Sequence, residues 1–292
     1  MTPSDFRQRF VFDHLDVRGC IVRLEDTCHS IQATHHYPDN LAQVLNQFAL
    51  AATLLRDSIK IDGSLTIQLR SSQAITLIMA DCMADRRVRA IAEYDSEALA
   101  PNDAIRLNDF GRGATLAITI TPEEGERYQS IVPIEHPSLA ECLQDYFARS
   151  EQLPSLFSFH ADAESALGVA LHALPPEKMN DKALREENFE RLEALLSTLR
   201  AEEALNLSAP QVLTRLFHQE SCRLFDANAV EFGCICSSEK SLDAIKALGQ
   251  DDVNALIEEQ KTAGKRSLVV DCHFCFQRYE FDFNQLNTLF NT

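Results

Sequence analysis

Four cysteines near the end of the chain carry the most readable chemistry. They fall as two close pairs, Cys234-Ile235-Cys236 and Cys272-His273-Phe274-Cys275, a C-x-C and a C-x2-C, separated by enough chain to fold back. Brought together, four sulfurs form a tetrahedral shell, and soft thiolates favour zinc. Such a shell leaves no position open for substrate, which is the arrangement of a structural site. A metal-bound thiolate is still oxidisable, however, and each pair holds its own disulfide partner. Spacing alone leaves both a staple and a sensor open.

His273 lies inside the C-x2-C turn and is expected to face solvent, because four sulfurs already fill the shell. A thioredoxin-like dithiol fits less well: Phe276 to Phe281 reads as a strand, whereas a helix would be needed to lower a thiol pKa. Lys240, Lys265, Arg266 and Arg278 stand near the pairs in sequence and could balance a dianionic zinc tetrathiolate, or be ordinary surface charge. Cys20, Cys28, Cys82, Cys142 and Cys222 lack metal spacing and read as small core residues. His29 and His35-His36 have no accompanying carboxylate motif. Asp109-Phe110-Gly111 and Gly111-Arg112-Gly113 spell fragments of kinase and phosphate-loop signatures without the rest of either, and read as a turn. No nucleophile elbow or His-Glu-x-x-His is present, so the chain is not expected to be an enzyme.

The elements that must position the four sulfurs follow from composition and periodicity. With 44 acidic against 27 basic residues, the net charge of −17 argues against a nucleic-acid partner. The first ten residues lack the apolar core of a secretory signal, and the apolar run from Phe48 to Leu55 is far shorter than the ~20 residues of a membrane span. Nine cysteines in such a chain fit a reducing, cytoplasmic compartment. Residues 16–24 read as a strand. Leu41, Val44, Leu45, Phe48, Ala52, Leu55 and Ile59 fall on one helical face behind Pro38 and a capping Asp39. Alternation predicts a hairpin over 64–70 and 74–80, a strand over 87–94, and a second hairpin over 114–120 and 128–134. Ser138-Leu139-Ala140-Glu141 has capping-box spacing. Two more strands, around 156–159 and 166–174, end at Pro175-Pro176.

From 177 to 231 the pattern turns helical and highly charged, with Phe189, Leu192, Leu196 and Leu199 on one stripe. A second capping box at Ser208–Gln211 leads to Val212, Leu213, Leu216 and Phe217. So few apolar stripes make a marginal unit. Residues 232–292 then hold short helices around Leu242, Ile245 and Leu248 and around Val253, Leu256 and Ile257, with strands flanking the second cysteine pair. The expected fold is α+β: a mostly antiparallel sheet domain with helices (1–176), a metastable helical linker region (177–231) and a small four-cysteine zinc domain (232–292).

The sequence resembles the heat shock protein 33 family, the bacterial redox-regulated holdase chaperones. The likeness is carried by Phe232-Gly233-Cys234-Ile235-Cys236-Ser237 with Glu239-Lys240, by Cys272-His273-Phe274-Cys275 followed by Tyr279 and Phe281, and by Ser138-Leu139-Ala140-Glu141 leading to Tyr146-Phe147 and Ser150-Glu151-Gln152-Leu153-Pro154. Lys60-Ile61-Asp62-Gly63 and Tyr128-Gln129-Ser130-Ile131-Val132-Pro133 belong to it as well. Ser130, Ala90 and His273 depart from the family pattern, and none of them is a sulfur ligand. The resemblance implies one zinc ion held by Cys234, Cys236, Cys272 and Cys275 in a reduced, inactive state. It implies that oxidation forms Cys234–Cys236 and Cys272–Cys275 disulfides and releases the metal. It further implies an ATP-independent holdase for unfolding proteins under oxidative and heat stress, dimerising on activation and passing clients to ATP-driven foldase chaperones. Phe189, Leu192, Leu196, Leu213, Leu216 and Phe217 are the candidate client-binding residues, being the apolar groups that unfolding of 177–231 would expose. A constitutive zinc-ribbon adaptor and a thiol–disulfide oxidoreductase remain the alternatives.

Overall fold

A computed structural model describes residues 3–59, 62–100, 103–111 and 113–290. Lys60, Ile61 and Arg112 of the motifs above lie outside the described residues. Contacts divide the chain into two compact units, Met1–Gly233 and Cys234–Thr292, so that residues 177–231 pack within the first.

The first unit is built around one helix. β1 (Phe6–Phe12), β2 (Val17–Leu24) and α1 (Asp26–His35) precede α2 (Asp39–Ser58), and β3 (Gly63–Arg70), β4 (Ile75–Cys82) and β5 (Arg87–Tyr94) follow it. After a single 3-10 turn at Leu107–Phe110 come β6 (Thr115–Pro122), β7 (Tyr128–Val132), α3 (Leu139–Arg149), β8 (Ser155–Ala161) and β9 (Ala166–Ala173). The linker region supplies α4 (Lys182–Leu196), α5 (Ala201–Asn206) and α6 (Ala209–Phe217), then the short strands β10 (Cys222–Leu224), β11 (Asn228–Ala229) and β12 (Glu231–Phe232).

Two sheets result, one in the order β10-β1-β2-β9-β8 with β11 also on β1, the other β12-β5-β4-β3-β6-β7. Every pairing is antiparallel except β12 on β5, which is parallel. Helix α2 lies between the sheets. Its spacing suggests one apolar face, yet residues 44–46 and 48–55 are buried in succession, so it is covered nearly all round. β9 makes room with Ala166, Gly168 and Ala170 on its helix-facing side, and a side chain at Gly168 would meet Leu54 and Leu50. Asp39 is the first helical residue and gives no side-chain cap; the cap position is Pro38, and Asp39 acts through its charge at the helix start. At α3 the capping box forms as the spacing predicts, with Ser138 Oγ accepting from Glu141 N and Glu141 Oε2 accepting from Ser138 N, both at 3.2 Å.

Alternation sends the other faces of β1, β2 and β9 outward, where Phe10, Phe12, Ile21, Leu167, Val169 and Leu171 meet Leu192, Leu196, Leu213, Leu216 and Phe217 of α4 and α6. Phe12 and Phe217 meet edge to face with centroids 5.2 Å apart. Gly19 is obligatory in this layer: the Phe10 ring, its cross-strand neighbour, would lie 2.1 Å from any Cβ there. The helical reading of 177–231 runs too far, because 222–232 forms three strands that pair with β1 and β5. Segments of two or three residues are too short for a periodic signal. Cys20, Cys28, Cys82 and Cys142 are buried core residues; Cys222 is half-buried.

The second unit comprises α7 (Ser238–Leu248), α8 (Gln250–Thr262), β13 (Ser267–Asp271), β14 (Arg278–Asp282) and α9 (Phe283–Thr288). Its core is Ile245, Val253, Ile257, Leu268, Phe281 and Leu286. Leu248, the last residue of α7, is exposed beside Gly249. Among the described residues, no helix is long and apolar enough to cross a membrane.

Candidate metal and redox centre

The four sulfurs converge within the second unit. Cys234 and Cys236 lie on the segment entering α7, which begins where Ser237 Oγ accepts from Lys240 N at 3.1 Å. Cys272 and Cys275 sit at the tip of the β13–β14 hairpin. There Cys272 N donates to Gln277 O (2.9 Å) and Phe276 N donates to Cys272 O (2.8 Å), with Phe276 in the left-handed region at φ 53°. This tight turn aims both sulfurs the same way.

All four Sγ atoms lie within 4.8 Å of one another. Cys234 and Cys272 sulfurs are 3.6 Å apart, Cys236 and Cys275 sulfurs 3.5 Å. A tetrahedron with metal–sulfur bonds of 2.3 Å has edges of about 3.8 Å, so the cage fits a zinc-sized ion; a disulfide, at about 2.05 Å, is absent from all nine cysteines. The donor set fits as well. Burial pushes the Cys275 thiol up to about 12 and raises Cys272, and contact with neighbouring sulfurs adds to both shifts. Thiolates packed this closely call for a cation among them. Among the described residues this is the one group arranged to hold a metal ion; His29, His35 and His36 form none.

Tyr279 Oη donates to Cys236 Sγ at 3.2 Å, a contact to the cage that spacing alone does not show, and this bond helps hold the phenol at about 12. His273 is exposed. Arg278 is paired with Asp271 at 2.9 Å. A strand, β14, follows Cys275 after two residues, so no helix N-terminus activates a thiol there. The candidate client-binding residues are gathered elsewhere, in the layer between α4, α6 and the sheet. Leu192, Leu196, Leu213, Leu216 and Phe217 are buried there, and Phe189 packs at its margin.

The family model described as "Hsp33 protein" matches residues 5–282. The chain belongs to the Hsp33 family. A "33 kDa chaperonin" of Pseudomonas paraeruginosa is 43% identical over 290 residues, covering 99% of this chain and 96% of that protein. The "33 kDa chaperonin" of Azotobacter vinelandii gives the same identity and coverage. The crystal structure of the 33 kDa chaperonin (heat shock protein 33 homolog) from Thermotoga maritima superposes with a TM-score of 0.80 at 22% identity, covering 97% of each chain, and shares the fold. An Hsp33 chain thus carries the four-cysteine cage in a small unit that follows a two-sheet α+β unit in sequence.

Proposed function

We infer that the chain is a redox-regulated, ATP-independent holdase. It is silent while the four thiols are reduced and becomes active when they are oxidised. The observation that carries this reading is the convergence of the four sulfurs inside a unit with so small an apolar core. Bound by the four thiolates, zinc would supply a cross-link spanning residues 234 to 275, worth on the order of 10 kcal/mol to a small domain. The two thiolates of each pair then give two electrons to hydrogen peroxide, forming one S–S bond as the O–O bond breaks, and with two protons from solvent both peroxide oxygens leave as water. The proposed bridges are Cys234–Cys236 and Cys272–Cys275. The shortest sulfur contacts run across the pairs, but in a tetrahedral cage every sulfur is within reach of every other, and neighbours in sequence stay close once the cage opens.

Disulfides closing loops of three or four residues restrain the unfolded chain by only about 2 kcal/mol each, so they do not replace the metal cross-link. The second unit then unfolds. Residues 177–231, joined to it directly through β12 and Gly233, lose order in turn and expose Phe189, Leu192, Leu196, Leu213, Leu216 and Phe217 to unfolding clients. Dimerisation on activation, transfer of clients to ATP-driven foldases and a cytoplasmic location belong to the same reading.

The test follows zinc release, free thiols and suppression of aggregation of a heat-denatured client, before and after peroxide with mild heating. Loss of metal and thiols together with gained suppression is expected. An oxidised protein that keeps zinc or fails to suppress aggregation would be a fixed adaptor, and turnover of a model disulfide would make it an oxidoreductase.

A further inference from the structure

A second chemical cluster lies in the first unit and takes no part in the redox centre. Arg7 and Arg9 of β1, Arg56 and Asp57 at the end of α2, Cys82 of β4 and Arg86 of the β4–β5 turn surround a cavity of about 70 Å³. Four arginines and one carboxylate thus line one cavity in a protein whose net charge is −17. Backbone carbonyls fix two of them without neutralising them: Arg56 Nε donates to Gly63 O (3.1 Å) and its Nη1 to Ile59 O (3.2 Å), and Arg86 Nε donates to Ala229 O (3.2 Å). Asp57 is shared, accepting from Arg9 at 2.8 and 3.0 Å while also pairing with Arg7. Arg7 is 15% exposed and Arg9 56%, so the cluster reaches from the interior to solvent. Burial and the charges of Arg9 and Arg86 lower the Arg7 pKa, as like charges held close together must. The partial charge of about −0.5 at the C-terminus of α2 offsets only a fraction of this excess.

We propose that this cavity binds a tetrahedral phosphoryl group. Forked guanidiniums match its oxygens, and donors already held by carbonyls need little reordering. With about 10–15 Å³ needed per water, the cavity has room for roughly five to seven non-hydrogen atoms, enough for a phosphoryl group and too little to enclose a whole nucleotide. The ligand is free phosphate or the terminal phosphoryl of a larger ester protruding past Arg9.

Equilibrium dialysis of the reduced full chain with labelled inorganic phosphate, at constant ionic strength, tests this. One saturable site per chain is expected, with a Kd of about 1 mM or tighter. Arg9→Gln and Arg86→Gln, from separate elements and each checked for native circular dichroism, should each weaken binding by about tenfold or more, the loss of a charged hydrogen bond. Arg149→Gln, which removes an equal charge from the exposed face of α3, should leave it unchanged. Displacement by phenyl phosphate would assign the terminal phosphoryl, and failure to displace would assign the free ion. Absence of saturable binding to the wild type, or equal weakening by Arg149→Gln, overturns the site.

Discussion

His172 shows how a single side chain couples this fold to pH. The residue is 3% exposed, with Nδ1 2.8 Å from Ser155 Oγ on β8 and Nε2 3.1 Å from Ser58 Oγ at the end of α2. Arg18 stands opposite it on β2, and Phe147 and Phe157 close the sides. Burial, helped by the Arg18 charge, lowers its pKa to about 4, against about 6.5 for a free imidazole. The folded state therefore binds fewer protons than the unfolded state between those values. Stability from this residue is complete above about pH 6.5 and is lost as pH falls toward 4. Denaturant unfolding at pH 7 and pH 5 should show the wild type losing about 2 kcal/mol more than His172→Gln; equal losses would remove the residue from the acid response. The cage sulfurs make a sharper prediction. Cys275→Ser leaves three thiolates, and metal content measured on the reduced protein should fall well below one ion per chain, with loss of ordered structure confined to the second unit. Retention of stoichiometric metal would show that the cage does not need its fourth sulfur.

At the scale of elements, the contacts that hold the linker helices onto the sheet are long-range and polar as well as apolar. Arg23 on β2 donates to the carbonyls of Ala204 (2.9 Å), Leu205 (2.9 Å) and Leu207 (2.6 Å), closing the C-terminal end of α5. Asp16 accepts from the backbone N–H groups of 177, 178 and 179 at 2.9–3.2 Å, anchoring the segment where it leaves the sheet. Replacing Arg23 by Gln should destabilise α4–α6 by about 1–3 kcal/mol, since it removes charged hydrogen bonds to half-buried carbonyls. In the reduced protein, proteolytic cutting within 177–231 should accelerate while α2 stays protected; an unchanged cutting rate would show that the apolar layer alone holds the helices. Periodicity and spacing are enough to place α2, the two hairpins, the α3 capping box and the two cysteine pairs, because each rests on residues close in the chain. They do not show β1, whose apolar residues mix with Arg7 and Arg9, nor β10–β12, which exist only because β1 and β5 offer open edges. Nor can they show Arg23, whose partners lie some 180 residues away.

For the whole molecule, the proposed switch depends on an unequal division of stability. The first unit encloses α2 between two sheets, whereas the second has six buried apolar side chains for its core and a metal-sized cage. Removing a cross-link worth on the order of 10 kcal/mol exceeds what so small a core supplies, while two short disulfides return about 4 kcal/mol at most. Oxidation should therefore unfold from the C-terminal end inward and stop at the sheets. Hydrogen exchange followed by mass spectrometry on reduced and peroxide-treated protein should show protection lost first over 234–290 and next over 182–217, with residues 39–58 still protected. Peptide mapping of the same oxidised sample should recover Cys234 bridged to Cys236 and Cys272 to Cys275. Protection retained over 182–217 in a sample that has lost its metal would break the link between cage and client surface, because the apolar layer between α4, α6 and the sheet would then remain closed in the oxidised state.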